Sequence, residues 1–227
     1  LTKETAFTLP LLIFIYKLFF FDELKTHWLK RNWLWILGLV IFYSLSLILI
    51  SRPKMIEKLF LDFQGMPFSP YERILTEPRV LLWYWGLILF PFPQRLNIEH
   101  YLSISRSLFE PLTTILSIIV ILGLVFIAVF KAKRWKVFAF IVFWYFSQVL
   151  IEALPLPIDL ASEHRLYLAQ LAIIVPLILG LSVIIKNQKI FYSWTFLLIL
   201  FLGFFTFTRN QVWLTREKLW KDAVQKS

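Results

Sequence analysis

Glu163, His164 and Arg165 are the neighbouring residues whose types could most readily do chemistry in this sequence. They follow Ser162, which can cap a helix, and they precede a long apolar run, so they lie where a loop enters a helix. Charged groups beside a lipid-facing run are costly unless they are paired or solvated. In one interpretation His164 and Arg165 bind an anionic headgroup while Glu163 orients them or a hydroxyl. In the other, the three residues only cap the helix and extend toward the interface.

Four further residues are candidates for binding a phosphate or another substrate group. Arg79 directly precedes the apolar run 80–92, where it could face a phosphate. An ion-paired helix start would explain most of this pattern without any ligand, because Glu72, Arg73 and Glu77 are close in sequence. Arg106 lies in a short turn between two serines. Lys3 and Glu4 lie at the outer end of the first apolar run, where they could form an interfacial ion pair.

The sequence contains no recognisable metal-binding or nucleotide-binding pattern. It has no cysteine, and its three histidines, His27, His100 and His164, are widely separated. It also lacks a glycine-rich phosphate loop and a Gly-x-Ser-x-Gly turn. We therefore assign no catalytic residue, and we expect no metal site and no covalently bound cofactor, although a divalent cation remains compatible with the sequence.

The composition predicts an integral membrane protein. Of the 227 residues, 59% are hydrophobic and only 17% are charged, whereas soluble domains have about 45–50% apolar and about 25% charged residues. A water-soluble fold of this size could not bury so much apolar surface. The formal net charge of +10 then indicates topology signals and contacts with membrane lipids, and we expect no nucleic-acid partner.

Apolar runs predict an all-α polytopic fold with about six transmembrane helices and one short re-entrant or interfacial helix at 80–92. The six spans are 5–21, 33–50, 111–130, 137–151, 167–185 and 190–207. If 80–92 does not cross, three loops carrying nine basic residues share one side: Lys25, Lys30, Arg31, Lys131, Lys133, Arg134, Lys136, Lys186 and Lys189. The positive-inside rule makes that side cytoplasmic and places both chain ends on the other face.

The C-terminal segment differs in character from the rest of the chain. We assign residues 1–207 to the membrane domain and 208–227 to an amphipathic helix, because Trp213, Trp220 and Val224 recur at helical spacing. The exposed tryptophans of such a helix need a partner surface, and a following helical repeat would supply one. The first residue is Leu1 rather than Met, so we expect the chain to be an internal segment of a longer protein.

Several stretches resemble the bacterial relatives of the transmembrane and tetratricopeptide-repeat O-mannosyltransferases. They are Leu1-Thr-Lys-Glu-Thr-Ala-Phe-Thr-Leu-Pro10, Leu75-Thr-Glu-Pro-Arg-Val-Leu-Leu-Trp-Tyr84, Ile104-Ser-Arg-Ser-Leu-Phe109 and Ser162-Glu-His-Arg-Leu-Tyr167. The tail, from Thr208 to Ser227, is similar to the junction where that family enters its tetratricopeptide repeats. The resemblance covers nearly the whole chain, and its motifs are moderately specific.

The resemblance implies a GT-C-like membrane fold, in which a sugar passes from a polyprenyl-phosphate donor to a protein or envelope acceptor on the non-cytoplasmic face. It also implies a location in the bacterial inner membrane, protein partners bound through a repeat domain, and a catalytic acid in an external loop before residue 1, so that the N-terminal helices are missing here. The residues that match family positions are Lys3, Glu4, Arg79, Arg106, Glu163, His164 and Arg165.

Two other functions stay open from the sequence. The chain could be a non-catalytic membrane anchor for a helical-repeat domain, or an accessory subunit of a larger membrane assembly. A transporter is the third alternative, and it should carry charged residues or broken helices near the middle of the bilayer. Lys17 is almost the only residue that fits that description.

Overall fold

The computed structural model describes residues 7–21, 28–50, 57–58, 61–150 and 152–226. Lys3 and Glu4, predicted to form an interfacial ion pair, lie outside these residues. The described part of the chain is all-α and contains no strand. Its helices are α1 (Leu9–Phe20), α2 (Trp28–Arg31), α3 (Trp33–Ile50), α4 (Pro70–Leu89), α5 (Thr113–Phe130), α6 (Lys136–Val149), α7 (Leu171–Ile184), α8 (Gln188–Val212) and α9 (Arg216–Lys226), with 3₁₀ helices at Pro93–Arg95 and Glu163–Tyr167.

A helix forms within each of the six apolar runs predicted to span the membrane, as α1, α3, α5, α6, α7 and α8. Among the described residues, only α5 and α8 are both long enough and apolar enough to cross a bilayer. The other four contain apolar stretches of 10–17 residues, shorter than the roughly 20 residues that a perpendicular span needs. No residue in the most apolar window of α8 is buried, so this helix presents its apolar surface outward.

The predicted start of the short helix at 80–92 is wrong. Helix α4 begins ten residues earlier, at Pro70, and runs for 20 residues. Ser69 and Glu72 form a capping box: the Ser69 backbone N–H donates to Glu72 Oε2 over 2.8 Å, and the Glu72 N–H donates to Ser69 Oγ over 3.2 Å. Proline at the first helical position also favours this start. Arg79 therefore lies in the middle of a helix rather than before one.

The chain divides into two compact units. The first contains Leu1–Arg79 and Ser103–Leu160. In its core α1 packs against α6, and α6 packs against α5, around the buried residues Ile15, Phe19, Ala128, Ala139 and Val142. Phe19 and Phe20 of α1 meet Phe140 of α6 edge to face, so aromatic side chains form part of the contact between these helices.

The second unit contains Val80–Leu102 and Ala161–Ser227. In it α8 contacts α7, α9 and the 3₁₀ helix Pro93–Arg95. The predicted amphipathic segment 208–227 is divided: its first five residues continue α8, and α9 begins only at Arg216. Trp213 and Trp220 are 57% and 54% exposed, so their indole rings have little cover in the described part of the chain.

Candidate functional site

Glu163 is the centre of a polar cluster in the second unit. Its Oε1 accepts a hydrogen bond from the backbone N–H of Asn97 over 2.7 Å and lies 2.9 Å from His100 Nε2. The His100 side chain is 7% exposed, and its ring meets that of Trp83 edge to face with centroids 4.7 Å apart. The imidazole is thus held in place from two directions, and the carboxylate is fixed by two donors.

The backbone that presents Glu163 is fixed by a buried tyrosine. Ser162 adopts an extended conformation immediately before the 3₁₀ helix Glu163–Tyr167. Its N–H donates to the hydroxyl of Tyr84 over 2.7 Å, and Tyr84 is completely buried. The prediction that the Ser162 side chain caps a helix is wrong, because that side chain makes no capping hydrogen bond. Ser162 instead acts through its backbone N–H.

The three neighbouring residues Glu163, His164 and Arg165 do not form one cluster. A 3₁₀ helix turns successive side chains in different directions, and His164 is exposed while Glu163 and Arg165 are partly buried. Arg165 has a buried Nη1 with no hydrogen-bond partner among the described residues. The histidine that contacts Glu163 is His100, which is distant in sequence, and not the neighbouring His164.

A cavity of about 440 Å³ lies beside Glu163 within the second unit. Its walls are mainly apolar, and the polar side chains that reach it are Glu163, Gln170, Thr206, Arg209 and Asn210. The apolar lining comes from α4, the segment after it, the Glu163–Tyr167 turn, α7 and α8: Leu87, Ile88, Pro91, Leu96, Leu166, Ile174, Leu202 and Phe205. Such a cavity suits an amphiphilic ligand whose polar end lies near Glu163 and Arg209.

Arg209 is held by the C-terminal helix. Its Nη1 donates to Asp222 Oδ2, and Lys226 Nζ lies 2.8 Å from Asp222 Oδ1. Lys226 also donates to the carbonyl oxygens of Pro93 and Leu96, over 2.9 and 3.1 Å. Burial alone would raise the pKa of Asp222, but hydrogen bonds from Lys226 and Arg209 outweigh it and hold that pKa below its ordinary value. These contacts attach α9 to the loop that carries Asn97.

The remaining described candidates, Arg79 and Arg106, belong to the first unit. The Arg79 guanidinium donates to the carbonyl and hydroxyl oxygens of Ser103, each over 2.7 Å, and to Ser105 Oγ over 3.2 Å. Because both Nη groups make hydrogen bonds within the chain, a structural role for Arg79 is better supported than a phosphate contact. Arg106 is exposed. The pKa of Glu72 is lowered mainly by two hydrogen bonds from Ser69, and the positive charge of Arg106 lowers it further.

Sequence reasoning missed His100, Asn97 and Arg209, which complete the polar cluster and the cavity. They lie far from Glu163 in sequence, so no local spacing could have found them. Among the described residues, no group of three or more His, Asp and Glu is placed to hold a metal ion.

Comparison with known proteins gives no relative from which a role could be transferred. No protein-family model, no curated protein sequence and no solved structure matches this chain.

Proposed function

We propose that this chain is the C-terminal part of the membrane domain of a GT-C-like glycosyltransferase, which moves a sugar from a polyprenyl-phosphate donor to a protein or envelope acceptor. The observation that supports this proposal best is the mainly apolar cavity beside the fixed Glu163–His100 pair. A lipid-linked sugar has the matching chemistry, because its apolar polyprenyl chain is joined to an anionic phosphate and a hydroxyl-rich sugar.

The proposal places all six apolar helices across the bacterial inner membrane. The helices shorter than 18 residues would cross with locally thinned lipid or with flanking aromatic and basic residues at the interface. Both chain ends would then lie on the non-cytoplasmic face, where Glu163 and the cavity would meet the donor.

In the proposed reaction the bond between the sugar and the phosphate oxygen breaks, and its electron pair leaves with the polyprenyl phosphate. The acceptor hydroxyl oxygen forms the new glycosidic bond, and its proton passes to the catalytic carboxylate that the family resemblance implies for the full-length enzyme. Glu163 Oε2 accepts no hydrogen bond among the described residues, so it can accept one from that hydroxyl and orient it. Arg209 and Asn210, which also line the cavity, are suitable donors to the phosphate oxygens.

The test is transfer of radiolabelled sugar from polyprenyl-phosphate donors by the full-length protein in proteoliposomes. Glu163→Gln keeps the size of the side chain and removes its charge, and we expect transfer to fall by about a hundredfold or more. Glu217→Gln, at an exposed position of α9, is the matched control and should retain transfer. Equal thermal stability of the two variants would show that both remain folded.

Two results would count against the proposal in different ways. If Glu163→Gln transfers sugar as fast as Glu217→Gln, the cavity beside Glu163 is not the reaction site. If no polyprenyl-phosphate donor supports transfer at all, the chain is better explained as a membrane anchor. Arg79→Ala should reduce stability rather than transfer, since its hydrogen bonds are internal.

The anchor alternative has one observation in its favour. Trp213 and Trp220 are more than half exposed at the C-terminal end of the described chain, and exposed aromatic surface of this kind marks a contact with another protein or domain. A helical-repeat domain seated there would need no chemistry from the membrane helices. If the protein transfers sugar from no donor but still binds that repeat domain normally, the membrane-anchor alternative is favoured.

A further inference from the structure

We infer that the first unit binds an anionic phospholipid in a groove between α1 and α6, with its headgroup at the basic turn 131–136. This inference rests on the proposed membrane location but on no part of the proposed reaction. The groove has a volume of about 590 Å³, within the range of roughly 300–1,000 Å³ typical of ligand sites.

The walls of the groove are chemically uniform. They consist of aliphatic and aromatic side chains, apart from two polar residues, Ser147 and Lys133. The apolar lining residues are Leu11, Phe14, Ile15, Leu18, Phe19, Val129, Ala132, Phe143, Phe146 and Leu150. Among the described residues no carboxylate lines the groove, which leaves Lys133 as its one charged lining group in that part of the chain.

Lys133 lies at one end of this groove. It belongs to the turn between α5 and α6, and α1 ends close to the same place, since the Phe20 and Phe140 ring centroids are 4.9 Å apart. From this end to Leu150, helix α6 rises by about 20 Å. That length accommodates an acyl chain of one leaflet, whose share of the hydrocarbon core is about 15 Å.

The turn itself carries four cations within six residues, Lys131, Lys133, Arg134 and Lys136. The first three are exposed, and none of the four forms an ion pair in the described part of the chain. A cluster of unpaired cations beside an apolar groove is complementary to a lipid with a phosphate headgroup. The positive-inside rule assigns this turn to the cytoplasmic leaflet, opposite the proposed transfer site, which favours a membrane phospholipid over the sugar donor.

The experiment measures binding of phosphatidylglycerol to the detergent-purified protein by native mass spectrometry. The test variant is the double substitution Lys131→Gln with Lys133→Gln. The matched control is Lys186→Gln with Lys189→Gln, which removes two exposed cations from another basic loop on the same predicted side. Phosphatidylcholine with identical acyl chains reports binding that does not depend on charge.

We expect the test variant to bind phosphatidylglycerol about twenty- to thirty-fold more weakly than wild type, since each surface cation contributes about fivefold. The control variant should bind it within about twofold of wild type, and phosphatidylcholine binding should not change. Thermal stability should also stay the same, because the substituted lysines are exposed.

Three results would overturn the inference. Equal weakening in the test and control variants would mean that binding follows overall surface charge. No weakening in the test variant would mean that the turn does not hold the headgroup. Displacement of bound phosphatidylglycerol by lower concentrations of polyprenyl phosphate would make the groove a donor site instead. Because no arm requires sugar transfer, failure of the proposed reaction leaves this test intact.

Discussion

Replacing Arg73 with methionine should destabilise the first unit more than any other single arginine substitution in that unit. Arg73 is fully buried in α4. Its Nε donates to the carbonyl oxygen of Leu154 over 3.1 Å, its Nη2 donates to that of Glu152 over 2.9 Å, and its Nη1 donates to that of Ile158. It also forms an ion pair with Glu77 over 2.8 Å, one helical turn away. One guanidinium thus holds the loop 152–158 against α4.

The magnitude follows from what the substitution leaves behind. Methionine has nearly the same length but no donor, so the buried Glu77 carboxylate loses its ion pair with Arg73 and three carbonyl oxygens lose a charged partner. Removing one member of a buried ion pair costs about 3–5 kcal/mol, and the three hydrogen bonds lost from the guanidinium keep the cost in that range. For a chain of this size each kcal/mol lowers Tm by about 2–4 °C, so we expect a drop of about 6–20 °C.

The assay is thermal unfolding of the detergent-purified protein, followed by a change in circular dichroism. Arg216→Met is the matched control, because Arg216 is exposed in α9 and should lower Tm by less than about 2 °C. Arg73→Met with Glu77→Leu removes both charges and should recover part of the loss. If Arg73→Met unfolds at the same temperature as the control, the buried network does not stabilise the unit and the argument fails.

Three further predictions concern other contacts. Ser69→Ala should cost about 1 kcal/mol by removing the N-cap of α4; an unchanged Tm would contradict the capping box. Tyr84→Phe should cost about 1–3 kcal/mol because the buried N–H of Ser162 loses its acceptor, and an unchanged denaturant midpoint would refute that role. The folded pKa of Asp222 is lowered, so its contribution to holding α9 is complete above the ordinary aspartate pKa of about 3.9 and is lost as the pH falls through the lower folded value. The protection of α9 amides against hydrogen exchange, taken relative to the intrinsic exchange rate at each pH, should therefore fall at acidic pH in wild type and lose this dependence in Asp222→Asn.

The helix positions follow from local sequence to a large extent. Each predicted apolar run contains a helix, because a long apolar run with few interior charges favours that conformation in an apolar surrounding, where a helix satisfies its own backbone hydrogen bonds. The misplaced start of α4 had a local signal in Ser69-Pro70-Tyr71-Glu72, which is a capping box with proline at the first helical position. This signal was overlooked because the charged residues after Ser69 form a polar stretch before the apolar run, and such a stretch also suggests a loop.

The candidate site could be predicted only in part. Glu163 was identified because a carboxylate at the entry to an apolar run is unusual, and that reasoning uses sequence neighbours alone. In one interpretation of the sequence Glu163 orients the neighbouring His164, but the turn of a 3₁₀ helix separates adjacent side chains. His100 reaches Glu163 instead, from 63 residues away.

The sequence by itself determined the composition of this protein, its all-α character and the positions of its apolar helices, because helical hydrogen bonds join residues only a few positions apart. Tertiary structure alone decided which histidine meets Glu163, which carbonyl oxygens Arg73 binds and which helices enclose each cavity. The contacts of Glu163 and Arg73 join residues from 63 to 85 positions apart in the chain. Their geometry depends on how whole helices pack, which no local pattern of residue types encodes.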